Sequence, residues 1–148
     1  MHDAITTYYD PDIAGRILKV NHAGEFGAVN IYRVQILISR WSARDCTAML
    51  EEFIDHEKTH RRTFAEELSR RGIRHCKSYL LCGMGGYILG LISSALRKNS
   101  ILACTVAVED VVIRHLQHQL NVLEEIGDQS AFDAVSKIVA DERSHHGV

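Results

Sequence analysis

The sequence predicts an all-α fold, a four-helix bundle whose halves are joined by an apolar crossover helix. Three observations carry this. The 148 residues include only 10 glycines and 1 proline, so helix breakers are rare. Apolar residues recur at intervals of three and four over long stretches, as on a helix with one buried face. No segment alternates apolar and polar residues for long enough to make a strand. The length suits a single domain over residues 1–148, with a core that needs no disulfide staples.

The first helix is expected from Pro11 to about Trp41. Asp10 can cap its free N–H groups, and a proline fits the first helical position, where an N–H would be unpaired anyway. The second is expected from about Ala43 to Arg71, with Gly72 as its stop. Tyr79 to Leu96, YLLCGMGGYILGLISSAL, then carries no charge at all. Arg70, Arg71, Arg74 and Lys77 precede it, and Arg97 and Lys98 follow. Another helix is expected from about Ile101 to Ile126, ended by Gly127, and a last one from about Ser130 to the end.

Composition excludes several classes. The formal net charge is −2, so there is no global positive field and no nucleic-acid partner is expected. Cys46, Cys76, Cys82 and Cys104 form no CxxC pair and read as buried thiols of a reducing compartment. The first residues show neither a basic-then-apolar signal pattern nor an Arg-rich transit pattern. No strand–GxGxxG–helix unit exists, which excludes a Rossmann nucleotide domain.

Each predicted helix carries one glutamate on its apolar stripe. The stripes are Leu18, Glu25, Val29, Tyr32, Ile36; Leu50, Phe53, Glu57, His60, Phe64; Leu102, Val106, Glu109, Val112, Ile113, Leu116; and Val135, Ile138, Val139, Glu142, His145. A buried carboxylate is costly unless compensated. One such glutamate reads most simply as a boundary ion pair. Four at once do not, because Lys and Arg are absent from these stripes in matching number.

Spacing sharpens the point. Glu57-x-x-His60 and Glu142-x-x-His145 each put both side chains on one helix face. Glu25 precedes Glu57 by 32 positions (57 − 25), and Glu109 precedes Glu142 by 33 (142 − 109). The same device occurs twice, a lone Glu and then Glu-x-x-His on the next helix. That is the ligand set of dinuclear carboxylate sites in four-helix bundles. Two divalent cations would neutralise four carboxylates, and oxygen with imidazole favours iron or manganese. Asp141 and His22 are candidates to orient ligand histidines, although Asp141 reads equally as a solvated residue and His22 as a packed bundle histidine. His146, about 100° around the helix from His145, is expected outside the ligand set. His56, His115 and His118 read as ordinary helix residues. Tyr8, Tyr9, Tyr32 and Tyr87 are candidates for electron transfer, and nothing in the sequence selects among them.

Two antiparallel hairpins in one bundle require a long crossover, as in ferritin-like folds, and Tyr79 to Leu96 lies where it belongs. Three readings of that segment stay open. It is a buried crossover helix, an interfacial element whose Arg and Lys flanks grip anionic headgroups, or a membrane span. A span would set the two hairpins on opposite sides of a bilayer and split the ligands. The glycines allow close helix approach or a groove for a flat, greasy ligand, whose entrance is expected between this segment and the Glu109 helix.

RILKVNHAGEFGAVNIY (Arg16 to Tyr32), HEKTH (His56 to His60), ACTVAVED (Ala103 to Asp110) and DERSHH (Asp141 to His146) resemble, in order and spacing, the demethoxyubiquinone hydroxylases of ubiquinone biosynthesis. The resemblance covers nearly the whole chain. It implies a ferritin-like di-iron monooxygenase, with two iron ions held by Glu25, Glu57, His60, Glu109, Glu142 and His145. It implies hydroxylation of the ring of a polyprenylated demethoxyquinone, with dioxygen and NADH as electron source. It implies a peripheral protein of the inner membrane, on the cytoplasmic face in a bacterium or the matrix face in a mitochondrion, docked through Tyr79 to Leu96. A lipid-binding accessory protein of the pathway and a homo-oligomer are compatible partners. The chain departs from the family at Glu109-Asp110, where Glu-Glu is usual, at His115-Leu116, where His-Tyr is common, and at His145-His146-Gly147, where His-His-Asp is usual. Family members continue into a further C-terminal helix, so the chain reads as truncated. Rival readings are a bacterioferritin-like iron store or ferroxidase, a rubrerythrin-like peroxidase, and a non-catalytic scaffold. The iron store lacks an uncharged crossover, and the peroxidase normally carries a CxxC module, absent here.

Overall fold

The computed structural model describes residues 12–146, the side chains of His145 and His146 excepted. Asp10, Pro11, Tyr8 and Tyr9 lie outside the described residues. The chain forms α1 (Ile13–Ser42), α2 (Arg44–Arg70), α3 (Tyr79–Ala95), α4 (Lys98–Ile126) and α5 (Gln129–His146), with no strand among the described residues. This is the expected all-α, ferritin-like bundle, two hairpins bridged by a crossover helix. α4 begins at Lys98, three residues before the expected Ile101.

The glycine stops work as the sequence suggests. Gly72 and Gly127 take φ of 66° and 73°, the left-handed region. Gly72 N–H bonds to the Ser69 carbonyl and Ile73 N–H to that of Leu68; Gly127 and Asp128 do the same to Glu124 and Leu123. Both ends are Schellman motifs, which satisfy carbonyls the helix would leave free.

Two apolar clusters fill the bundle. One joins Leu18, Phe64, Leu68, Leu116, Val135 and Ile138 from α1, α2, α4 and α5. The other joins Val29, Tyr32, Ile36, Leu50, Ile54 and Ile101 from α1, α2 and α4. On α1, α2 and α4 the stripe glutamate falls between residues of one cluster and residues of the other.

The stripes hold with one correction. Val106 is 58% exposed, not buried. On α4 the inward row is Ile101, Thr105, Glu109 and Leu116, and Val106 lies about 100° around from Thr105. The cysteines need a second correction, since only Cys46 is buried and Cys76, Cys82 and Cys104 are partly exposed.

α3 corrects the buried-crossover reading. Its buried residues are Gly83, Gly86, Gly90, Ser93 and Ser94. Its large apolar side chains face out, with Leu80 73% and Leu81 63% exposed. The inward face is small because α3 lies directly on α1: a Cβ at Gly86 would land on the Gly27 carbonyl. Polar ties fix the register. Asn30 Nδ2 donates to the Gly83 carbonyl at 3.1 Å, and Gln35 Nε2 donates to Ser93 Oγ at 2.9 Å. No helix among the described residues is long and apolar enough to cross a membrane.

Between α2 and the start of α5, Arg71 reaches both oxygens of Asp128 at 2.6 and 2.8 Å, Glu67 at 2.9 Å and Ser130 at 2.8 Å. Arg70 also pairs with Glu67. These charge-assisted bonds pull Asp128 down to about 2, led by the Arg71 hydrogen bonds.

Candidate metal centre

The inward stripes of α1 and α2 bring Glu25, Glu57 and His60 together. One ligand atom from each lies within 4.8 Å of the other two, and all three residues are buried. α5 adds Glu142, 1% exposed, whose Oε1 is 3.1 Å from His60 Nδ1. Glu57 Oε2 is 3.9 Å from the same nitrogen. Carboxylates from both hairpins therefore face one imidazole nitrogen. Glu109 of α4 is buried, and its charge, with those of Glu57 and Glu142, acts on the Tyr32 hydroxyl. The backbone sets His145 one turn beyond Glu142 on α5; its side chain is outside the described residues.

The electrostatics are those of a cluster short of positive charge. Burial raises the Glu25 carboxyl to about 7, opposed by a hydrogen bond with Glu57 and aided by the charge of Glu142. Burial and then the Glu25 charge push Glu57 well above the usual carboxylate range. Burial works against protonation of His60, yet the hydrogen bond to Glu142 and the nearby charges of Glu57, Glu142 and Asp141 raise it. Acids that hold protons and an imidazole drawn toward the charged form mark a place where a cation belongs.

Asp141, half-exposed on α5, sets Oδ2 3.4 Å from His60 Nε2. One imidazole nitrogen thus faces the carboxylate cluster while the other faces Asp141. This is the carboxylate–histidine arrangement that orients a metal-binding imidazole. His22 stacks on Tyr79 at 4.8 Å, and its Nδ1 has no hydrogen-bond partner among the described residues. Its packing is with α3.

Tyr32 was one tyrosine among several in the sequence; the fold distinguishes it. It is fully buried, and its hydroxyl has no hydrogen-bond partner among the described residues. Burial, then Glu57, Glu109 and Glu142, raise its pKa well above the ordinary value. The available signal was its place seven residues after Glu25, two turns along the same face.

Beside the carboxylates a cavity of about 350 Å³ opens between α1, α3 and α4, with Glu25 in its wall. A second, almost wholly apolar cavity of about 560 Å³ adjoins it between α3 and α4, and both share Leu89, Val108 and Val112. The groove lies where the sequence put the entrance, between the apolar segment and the Glu109 helix. Asn21 and Gln119 line its smaller part and were not foreseen. They stand 98 positions apart, and only the pairing of α1 with α4 joins them.

The family description Ubiquinone biosynthesis protein COQ7 matches residues 12–148. The chain belongs to that family. It is 32% identical over 135 residues to the "NADPH-dependent 3-demethoxyubiquinone 3-hydroxylase, mitochondrial" of Dictyostelium discoideum, covering 90% of this chain and 61% of the relative. It is 31% identical over 137 residues to the protein of that name in Homo sapiens, covering 90% and 62%. The "3-demethoxyubiquinol 3-hydroxylase" of Rhodospirillum rubrum is 32% identical over 109 residues, covering 73% and 50%. The chain thus spans about three fifths of the length of the first two relatives. The names of the Dictyostelium discoideum and Homo sapiens relatives specify NADPH, where the resemblance alone led to NADH.

Proposed function

We propose that this member of the COQ7 family is a di-iron monooxygenase that hydroxylates the ring of a polyprenylated demethoxyquinone in ubiquinone biosynthesis. Dioxygen is the co-substrate and a reduced nicotinamide nucleotide the electron source. The observation that carries the reading is the convergence of Glu25, Glu57, His60 and Glu142 at a buried centre whose Glu25 also lines an apolar cavity. The names of the relatives support the substrate class.

The donors present fit iron: carboxylate oxygens and imidazole, buried, with acids that favour protonation in the absence of a cation. Glu25, Glu57, His60, Glu109, Glu142 and His145 would hold two ions. When bound, the metals supply activation of dioxygen. The chain does the rest. Asp141 holds the imidazole of His60 in one orientation. The apolar clusters around the stripe glutamates exclude bulk water. The α3–α4 groove receives the tail and directs the ring toward Glu25. The buried Tyr32 hydroxyl offers a hydrogen-bond donor toward the carboxylate cluster.

The outward apolar face of α3, with basic residues before and after the helix, supports docking on a membrane surface with anionic headgroups. That face of the inner membrane, cytoplasmic in a bacterium or matrix-side in a mitochondrion, is the proposed location. A lipid-binding accessory protein and self-association belong to the same proposal.

The test is anaerobic loading with iron(II), followed by metal analysis and Mössbauer spectroscopy. Two coupled irons per chain and quinone-dependent oxygen uptake are expected. A fully loaded chain without quinone-dependent uptake would favour the scaffold. A 24-subunit shell in gel filtration would favour the iron store.

A further inference from the structure

We propose that the paired amides of Asn21 and Gln119 recognise the ring oxygens of the quinone, above a floor that Gly24 keeps open. The inference rests on the hydroxylase reading and names the residues that hold its substrate.

Asn21 Nδ2 donates to Gln119 Oε1 at 2.7 Å, and Gln119 Nε2 donates back to Asn21 Oδ1 at 2.9 Å. The pair bridges α1 and α4 across the wall of the cavity that contains Glu25. A primary amide has two N–H donors and two acceptor lone pairs. Reciprocal pairing uses one of each, so each amide keeps one donor and one acceptor. The surrounding lining is largely apolar, with Val20, Ala28, Ile31, Leu89, Val108 and Val112 around the pair. A planar apolar ring with carbonyl and methoxy oxygens on its edge matches such a wall. The volume of about 350 Å³ also falls within the range of small-molecule sites, roughly 300–1,000 Å³.

Gly24 is the second, independent observation. It sits inside α1 without a positive φ, where glycine weakens a helix relative to alanine. On α3 the neighbours explain Gly83, Gly86 and Gly90, which have none of the room that a Cβ needs, whereas Gly85, like Gly24, is open and lines the same cavity. A Cβ on Gly24 would meet no heavy atom within 4 Å, so nothing in the fold demands a glycine there. Gly24 lines the cavity one residue before Glu25. The missing side chain leaves room for whatever enters.

The test uses the iron-loaded full chain and two probes, a short-tailed quinone and a mimic with the same tail on an arene that lacks ring oxygens. Calorimetry gives the Kd of each for wild type, for Asn21→Leu with Gln119→Leu, for the exchange Asn21→Gln with Gln119→Asn, and for Gly24→Ala. The double leucine variant should bind quinone roughly tenfold or more weakly, from two lost hydrogen bonds, and bind the mimic as wild type does. The exchange should recover most of the affinity. Gly24→Ala should raise the Tm and weaken quinone binding, two effects of opposite sign that a purely structural glycine would not give. Unchanged quinone affinity in the leucine variant overturns the inference and leaves the hydroxylase reading standing. Equal weakening toward quinone and mimic also overturns it, because the pair would then be a helix tie only. A wild-type chain that is folded and loaded yet binds no quinone overturns the hydroxylase reading itself, and this inference with it.

Discussion

The metal-free chain is expected to lose stability as pH rises from 5 to 8. In the folded state burial raises Glu25 from 4.5 to about 7, and it raises Glu57 well above 4.5. In the unfolded chain both carboxyls ionise at their ordinary value. Above that value the unfolded state has released protons that the folded state still holds. Each pH unit then costs the fold about 1.4 kcal/mol per such carboxyl until the folded group ionises too. For Glu25 alone, the interval from 4.5 to about 7 amounts to about 3 kcal/mol. That is a large share of the roughly 5–15 kcal/mol that holds a domain together. His60, raised from 6.5, acts in the same sense: its contribution is complete below 6.5 and is lost above its folded value. Asp128, held at about 2, and Glu67, also lowered, have delivered their stabilisation by pH 5 and add no slope. His22, lowered from 6.5, adds an opposite slope that ends near that value. Urea unfolding at unit pH steps, with chelator and with anaerobic iron(II), measures the effect. The chelated protein should show a falling midpoint. Iron should flatten or reverse it, because a cation favours the ionised carboxylates. A chelated protein whose stability is level or rises over this range would refute the account.

Three further outcomes follow from the packing. Gly86→Ala sets a methyl group against the Gly27 backbone, which cannot step aside. The helix gain of about 0.5–1 kcal/mol is outweighed by overpacking of roughly 1–3 kcal/mol or more, read as a lower Tm. Arg71→Ala removes the shared partner of Glu67 and Asp128 at the α2–α5 joint, for an expected loss of about 1–3 kcal/mol in urea unfolding. An unchanged midpoint would mean the joint is decorative. Tyr32→Phe in the metal-free chain should leave stability level or raise it by about 1 kcal/mol, since the buried hydroxyl has no partner among the described residues. A loss larger than that would mean the oxygen is bonded in the fold.

The stripe glutamates stood out in the sequence because a carboxylate on an apolar stripe is a contradiction within one helix, visible without its neighbours. The stops at Gly72 and Gly127 were legible for a similar reason, since a left-handed residue ends a helix by itself. α3 was not, because it is apolar all round and nothing in its pattern says whether glycines or leucines face the bundle. That choice belongs to α1, whose Gly27 lets the two backbones touch. Val106 failed likewise: periodicity draws a broad stripe, and only packing decides its edge. Asp141 was a candidate partner for a histidine from its sequence, but that it faces His60 needed the rotation of α5 against α2. The Asn21–Gln119 pair depends on two helices distant in sequence, and neither residue is unusual alone.

α1 packs broadly on α2 and α3, while α4 and α5 approach each other and the rest of the bundle less closely, across a seam filled by side chains such as Leu18, Phe64, Leu116 and Val135. On the proposed reading, six ligands drawn from both hairpins fasten that seam. Iron starvation would then do more than silence the centre. It would loosen the α4–α5 half and expose buried apolar surface to proteolysis. The amount of the protein in a cell would track the supply of its metal, with no dedicated sensor required.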